Sequence, residues 1–264
     1  MIRRLFIIQI IMLLLMPPIA HGTAADANAL MEEANQAYIR SEYVYAAELY
    51  EEILALGLES AELYYNLGNA YFKQNRLADA ILHYERARLL RPFDENIQYN
   101  LELARSRTID RIEPVPVIFY EKWWNQFILL QSIDGWAVTA LVLLFGALLL
   151  GLVYFFSSQP WLKRLGFFFS LALLLLCCIA FLAANRQYVH HYQRSDAIVF
   201  SPRVTVKSAP GEASPDLFVI HEGTRVNMTG KLGEWVEIRL DNGNMGWIKR
   251  DHIRAVRENV AETL

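Results

Sequence analysis

Hydrophobic positions fall into three patterns along the chain, and each predicts a different architecture. The middle is apolar without relief. Trp136–Phe156 and Leu165–Ala184, 21 and 20 residues long, contain no Asp, Glu, Lys, Arg or His. Helices of that length rise to about 30 Å, the thickness of a bilayer's hydrocarbon core. Between them Ser157–Arg164 is too short for a domain, and its Pro160 predicts a helix stop. The pattern predicts a transmembrane hairpin with spans 136–156 and 165–184 and a turn over 157–164. The alternative is a buried helical pair in a soluble protein, but a chain of this size has too little mass left to cover 41 uncharged residues.

Before the hairpin, apolar positions recur with helical spacing and then recur again 34 residues on. Ala61–Asp94 carries Tyr64, Leu67, Gly68 and Tyr71, then Ala80, Tyr84 and Ala87, then Pro92. These spacings give each of two helices one apolar stripe, with Pro92 ending the second. Gly68 and Ala80 are small where two helices must approach closely. A weaker copy over Ala27–Ser60 carries Leu30, Ala34, Ala37, Tyr43, Ala46, Tyr50 and Ile53. Tyr99-Asn100-Leu101 repeats Tyr65-Asn66-Leu67, so Glu95–Ser106 predicts a closing helix that covers the last apolar face.

These positions resemble the tetratricopeptide repeat, over about 80 residues. The resemblance implies a concave groove that holds peptide or protein segments. Met31, Asn35 and Tyr38 would face it from the first copy, Tyr65, Asn69 and Phe72 from the second, and Tyr99 beyond. Each of these side chains either meets a ligand or packs between helices. In one subset of such domains two asparagines and several cations grip a terminal carboxylate. Asn35 and Asn69 match the asparagines, but Met31, Tyr99 and Leu103 stand at the cationic positions. The resemblance therefore implies an aromatic, amide-lined groove rather than carboxylate capture.

After the hairpin the period changes to two. Ala197–Phe200, Val204–Lys207, Leu217–Ile220, Arg225–Lys231, Trp235–Leu240 and Met245–Lys249 are predicted strands, separated by Gly, Pro and Asn. Asp241-Asn242-Gly243 tolerates positive φ and predicts a hairpin. Short strands in so few residues suit a small barrel over 197–255. The segments Val204–Gly211, Glu222-Gly223-Thr224, Gly233-Glu234-Trp235 and Gly246-Trp247-Ile248 resemble a bacterial SH3-like domain. The resemblance implies a binding module for peptides or cell-wall peptide stems. Trp235 and Trp247 form either its ligand surface or its core.

The remaining segments set orientation. Met1–Gly22 reads as a secretory signal: Arg3 and Arg4, the apolar core Leu5–Met16, two prolines, then Ala20-His21-Gly22. Residues 107–135 form a linker, stiffened by Pro114 and Pro116, that leads into an aromatic helix expected over Tyr120–Ile133. Its Tyr120, Trp123, Trp124 and Phe127 suit the headgroup level of a bilayer; a hydrophobic protein-binding patch is the competing reading. The signal sends the repeats across the membrane, and Lys163 and Arg164 mark the turn as cytoplasmic. Both soluble modules then share the extracytoplasmic side. Asn185–Asp196 is expected as a tether, with His190 and His191 solvated rather than metal-bound.

Composition narrows the function. The chain is 54% hydrophobic with mean hydropathy +0.19, rich for a soluble protein. A net charge of −3 gives no electrostatic case for nucleic acid. Cys177 and Cys178 lie inside the second apolar run, which leaves the soluble modules without a thiol. No nucleophile elbow, zinc-protease helix, phosphate loop or dinucleotide fingerprint occurs, and carboxylates such as Glu51, Glu52 and Glu85 fall on predicted solvated faces. The sequence predicts a non-catalytic protein without cofactor or metal.

The order of modules resembles the Bacteroides aerotolerance protein E family. That resemblance implies a two-pass protein of the bacterial cytoplasmic membrane, acting beside von Willebrand A-domain membrane proteins and a MoxR-type ATPase. The expected function is a membrane-anchored scaffold or adaptor in an aerotolerance or stress complex. The alternative is a cell-wall sensor that binds peptidoglycan through its SH3-like domain.

Overall fold

The computed structural model describes residues 21–113, 115, 119–192 and 195–257. The expected signal segment lies outside these residues up to position 20, as do Pro114 and Pro116 of the linker. The chain divides into two compact units, the first running to Ile109 and including Glu222–Thr224, the second comprising Asp110–His221 and the residues from Arg225 onward.

The first unit is helical. Helices α1 (His21–Ile39) and α2 (Tyr43–Ala55) form one hairpin, α3 (Ala61–Lys73) and α4 (Leu77–Leu90) a second, and α5 (Glu95–Ser106) follows. The 34-residue period appears in the backbone itself. Ser41 and Asn75, one period apart, are the described non-glycine residues with positive φ, at 64° and 61°. Each turns the chain between the two helices of its repeat. Ser60 caps α3 by accepting from the Leu63 N–H at 3.0 Å, and Asp94 caps α5 by accepting from Asn96 and Ile97.

Alanines fill the seams between these helices: Ala34, Ala37, Ala46, Ala70, Ala78, Ala80 and Ala87 are all buried. Small side chains let the helices close on three buried tyrosines, Tyr50, Tyr71 and Tyr84. A Cβ at Gly68 would stand 2.7 Å from the ring of Tyr84, so the glycine is required by close approach. Glu85 corrects the expectation of a solvated face. It is only 2% exposed, and its carboxylate accepts from Arg88 at 2.6 Å and also from Arg105. The two half-exposed guanidiniums carry to the surface the charge that the helix buries.

The second unit contains the hairpin and the barrel. Helix α6 (Phe119–Ile128) is shorter than the expected Tyr120–Ile133, because Leu129–Ser132 turn the chain and Ser132 caps the next helix at 3.1 Å from Gly135 N. Helix α7 (Ile133–Phe156) starts three residues before the apolar run. Helix α8 (Pro160–Tyr192) corrects two expectations. Pro160 opens this helix instead of ending one, since the first helical position needs no N–H. The expected turn over 157–164 thus shrinks to Ser157–Gln159. At its other end α8 continues through the expected tether as far as Tyr192.

Both helices are long and apolar enough to cross a membrane, and only 6% and 11% of their apolar stretches are buried inside the structure. A core helix of a soluble protein would be mostly covered, so these helices suggest membrane association.

The barrel is one antiparallel sheet. Its strands are β1 (Asp196–Val199), β2 (Arg203–Lys207), β3 (Asp216–His221), β4 (Arg225–Leu232), β5 (Trp235–Arg239), β6 (Met245–Lys249) and β7 (Ile253–Ala255), in the order β3-β2-β6-β5-β4-β1-β7. The period-two residues Val204, Val206, Val236, Ile238 and Ile248 meet in its core. In the Asp241-Asn242-Gly243 turn only Gly243 uses positive φ, at 89°. Residues expected as linker belong to this unit. Ile112 packs on the barrel core, the Val115 N–H donates to Asp241 O at 3.1 Å, and the Asp110 carboxylate accepts from His221 N at 2.6 Å.

Gly68→Ala sets two effects against each other. Helix propensity alone would stabilise α3 by about 1 kcal/mol. Overpacking against a fixed ring costs about 1–3 kcal/mol. The ring of Tyr84 is buried and hydrogen-bonded, so the expected net result is a loss of roughly 1 kcal/mol. Chemical denaturation of the full chain in detergent measures it; a raised midpoint would show that the ring yields.

Candidate functional site

The 34-residue period also repeats a hydrogen-bond triad. In the first copy Asn35 Oδ1 accepts from the Tyr50 hydroxyl at 2.6 Å and from Asn66 Nδ2 at 3.1 Å. In the second, Asn69 Oδ1 accepts from the Tyr84 hydroxyl at 2.7 Å and from Asn100 Nδ2 at 2.9 Å. Every member stands 34 residues from its counterpart. Two donors saturate each carbonyl and fix the orientation of each amide. Among the described residues, neither Asn35 nor Asn69 uses its amide nitrogen within the protein.

Around these amides lies a cavity of about 240 Å³, lined by Asn35, Tyr38, Ile39, Tyr50, Asn66 and Asn69. The arrangement offers paired N–H2 donors beside an apolar aromatic wall. N–H2 groups of this kind can donate to carbonyl acceptors, and Tyr38 and Ile39 offer apolar surface beside them. Burial pushes the Tyr50 hydroxyl up to about 12, with the nearby Tyr38 and Glu62 adding to the effect. Burial likewise raises Tyr84 well above the ordinary tyrosine range. Both hydroxyls are therefore firmly protonated donors at neutral pH.

The structure gathers Asn35, Tyr38 and Asn69 of the sequence-expected residues around this cavity. Met31, Tyr65, Phe72 and Tyr99 lie outside its lining. Met31 is half-buried on α1 and Tyr99 is exposed on α5. The Tyr65 hydroxyl accepts from Asn100 Nδ2 at 2.9 Å, so it braces the second triad. Phe72 lies 4.4 Å beneath the Arg107 guanidinium. Sequence reasoning missed Ile39, Tyr50 and Asn66 as cavity residues. The period that paired Tyr50 with Tyr84 and Asn66 with Asn100 was the signal that could have found them.

A second cavity, of about 310 Å³, opens on the barrel. Trp235 lines it and is otherwise buried, whereas Trp247 is half-buried on β6 and does not line it. Lys207, Lys249 and Arg203 bring positive charge to the rim. Lys207 Nζ stands 2.6 Å from Asp216, and Lys249 pairs with Glu212. That pairing lowers the Glu212 carboxyl below its usual range and raises the Lys249 ammonium. Both acids are exposed residues at or beside the β2–β3 loop, so a ligand carboxylate could replace them at little cost.

Residues 61–94 match the tetratricopeptide repeat family, and residues 202–254 match the bacterial SH3 domain family. The second match spans β2 to β6 and reaches into β7, leaving β1 outside. Together the matches cover less than half of the chain, so they identify modules. No curated protein matches the chain. Both modules are of kinds that typically bind and do not catalyse.

The buried tyrosines make stability depend on alkaline pH. The unfolded chain releases a tyrosine proton near the ordinary value of 10, while folded Tyr50 holds its proton to about 12. Below pH 10 this preference for the native state is fully present; above it the unfolded chain binds fewer protons and stability falls. Thermal melts from pH 8 to 11 should show a falling midpoint above pH 10, with a shallower fall in Tyr50→Phe. Equal slopes in the two proteins would contradict the role given to this hydroxyl.

Proposed function

We propose that this protein is a membrane-anchored scaffold that holds a partner protein in its helical groove. The observation that carries this reading is the repeated triad, which fixes two amide donors one repeat apart beside an apolar wall. The groove residues of the proposal are Asn35, Tyr38 and Asn69 at the cavity, with Met31, Tyr65, Phe72 and Tyr99 extending the surface. The module order supports membership in the Bacteroides aerotolerance protein E family, and with it partners of the von Willebrand A-domain class, a MoxR-type ATPase and a role in aerotolerance. The signal-like start and Lys163 and Arg164 in the hairpin turn support a two-pass protein of the cytoplasmic membrane with both modules outside.

A second reading is favoured by the lysine-rimmed cavity of the barrel. Peptidoglycan stems carry carboxylates, and Lys207 and Lys249 could exchange Asp216 and Glu212 for them. The protein would then sense the cell wall through the barrel and signal through the repeats. Two modest sites on one anchored chain gain from effective concentration, so neither needs high affinity.

The two readings separate with substitutions that spare the fold. Asn35→Asp with Asn69→Asp keeps both carbonyl-like acceptors for the triads but turns the groove donors into acceptors. Loss of two hydrogen bonds to a bound segment weakens capture by roughly tenfold or more. In-cell crosslinking should recover von Willebrand A-domain membrane proteins with the wild type and lose them with the double variant. Retention by the variant, together with sacculus binding that Lys207→Ala and Lys249→Ala abolish, would transfer the function to the barrel. Topology is tested separately: reporter fusions at Arg105 and Arg250 should report the same, extracytoplasmic side.

A further inference from the structure

Helix α6, the following Leu130 and Ile179 of α8 border an apolar slot of about 470 Å³. Tyr120, Trp123, Trp124, Gln126, Phe127 and Leu130 form one side, and Ile179 of α8 forms the other. The volume lies in the range of about 300–1,000 Å³ usual for small-molecule sites. Ring contacts and a hydrogen bond join the C-terminal end of α6 to α7. The Phe127 ring lies 5.4 Å from Trp124 and 5.0 Å from Trp136, and the Trp136 indole N–H donates to Ile128 O at 2.7 Å. Ile128 is buried beneath.

We infer that this slot binds the acyl chain of a membrane glycerophospholipid. The inference rests on the reading that α7 and α8 span a bilayer. Three observations select this occupant. Ile179 lies five residues inside the apolar run that ends at Ala184, roughly 7 Å along the helix, which sets it within a leaflet about 15 Å deep. The slot therefore opens at acyl-chain depth, beside the hairpin's own lipid-facing surface. Its wall is apolar apart from the Gln126 amide and the Tyr120 hydroxyl, as hydrocarbon requires. Finally, the indole N–H groups of Trp123 and Trp124 and the Tyr120 hydroxyl make no hydrogen bond within the protein among the described residues. Trp136 and Trp161, by contrast, have their N–H groups satisfied, by Ile128 O and Gln159. Free donors at headgroup level fit the ester and phosphate oxygens of the same lipid whose chain fills the slot.

The test uses the full chain in vesicles of phosphatidylethanolamine and phosphatidylglycerol, with a trace of phosphatidylcholine that carries a diazirine near the carboxyl end of one acyl chain. Phe181 and Leu182 are exposed on α8 at similar depth and serve as internal controls. Photolabel mapped by mass spectrometry should concentrate on residues 119–130 above those controls. Ile179→Trp fills the slot; because each excluded methylene weakens binding about fourfold, labelling of α6 should fall roughly tenfold while Phe181 and Leu182 keep theirs. Ile179→Ala widens the slot and should keep the label, which separates filling from misfolding. Equal α6 labelling in wild type and Ile179→Trp, or equal loss in both variants, would overturn the proposal. Disulfide trapping of two Trp123→Cys chains through α6 would overturn it in favour of a second copy. Absence of label on Phe181 and Leu182 as well would overturn the membrane reading itself, and the slot with it.

Discussion

Beyond Ile109 the molecule depends on how closely α7 and α8 approach. Lipid tails are as apolar as leucine, so no hydrophobic gain drives two such helices together. Packing and interhelical hydrogen bonds must do it, and small residues make them reachable. A Cβ at Gly166 would stand 2.9 Å from Leu150 O and 3.1 Å from Tyr154 N, so the backbones nearly touch. Ser170 Oγ donates to Ala147 O at 2.9 Å, and the Cys177 thiol donates to Ala140 O at 3.3 Å. Ala147, Ala180 and Ala183 are buried in the seam. Of the two cysteines, Cys177 thus joins the helix pair, while its neighbour Cys178 is exposed.

The helical unit solves the opposite problem, a polar surface built over a dry seam. Its repeat binds structure and chemistry in one device. The same tyrosines that fill the seam, Tyr50 and Tyr84, also donate to the asparagine carbonyls. An amide that saturates its carbonyl in the protein has only its N–H2 left to offer. The donor character of the proposed groove therefore follows from how the core is closed, and a substitution that loosens the core would also disturb those donors.

Much of this was legible in the sequence, and the failures have physical causes. The 34-residue period and the alternating strands survive because they are local patterns repeated many times. Glu85 was misread because its burial depends on Arg105, 20 residues away on another helix. Pro160 was read as a stop, although proline is equally at home at a helix start and no cap distinguished the two. The extension of α8 to Tyr192 was in fact signalled, since no glycine or proline stands between Ala184 and Tyr192. The pairing of Asp110 with His221 spans 111 residues and joins a connecting segment to the end of β3, so no spacing rule could have found it.

That pairing changes what the barrel is. A strap from the far side of the hairpin completes the unit: Asp110 holds the end of β3, Ile112 adds to the core, and Val115 bonds the β5–β6 turn. The chain leaves the strap, runs through α6, α7 and α8, and re-enters the barrel at β1. Both ends of the apolar segment are thereby tied to one small domain. A barrel hung from a single tether would rotate freely, whereas two attachments restrict it. Studying the barrel cut free at Ala197 would remove Ile112 from its core and the Asp110 carboxylate from His221, so its stability and its binding would be those of a different domain.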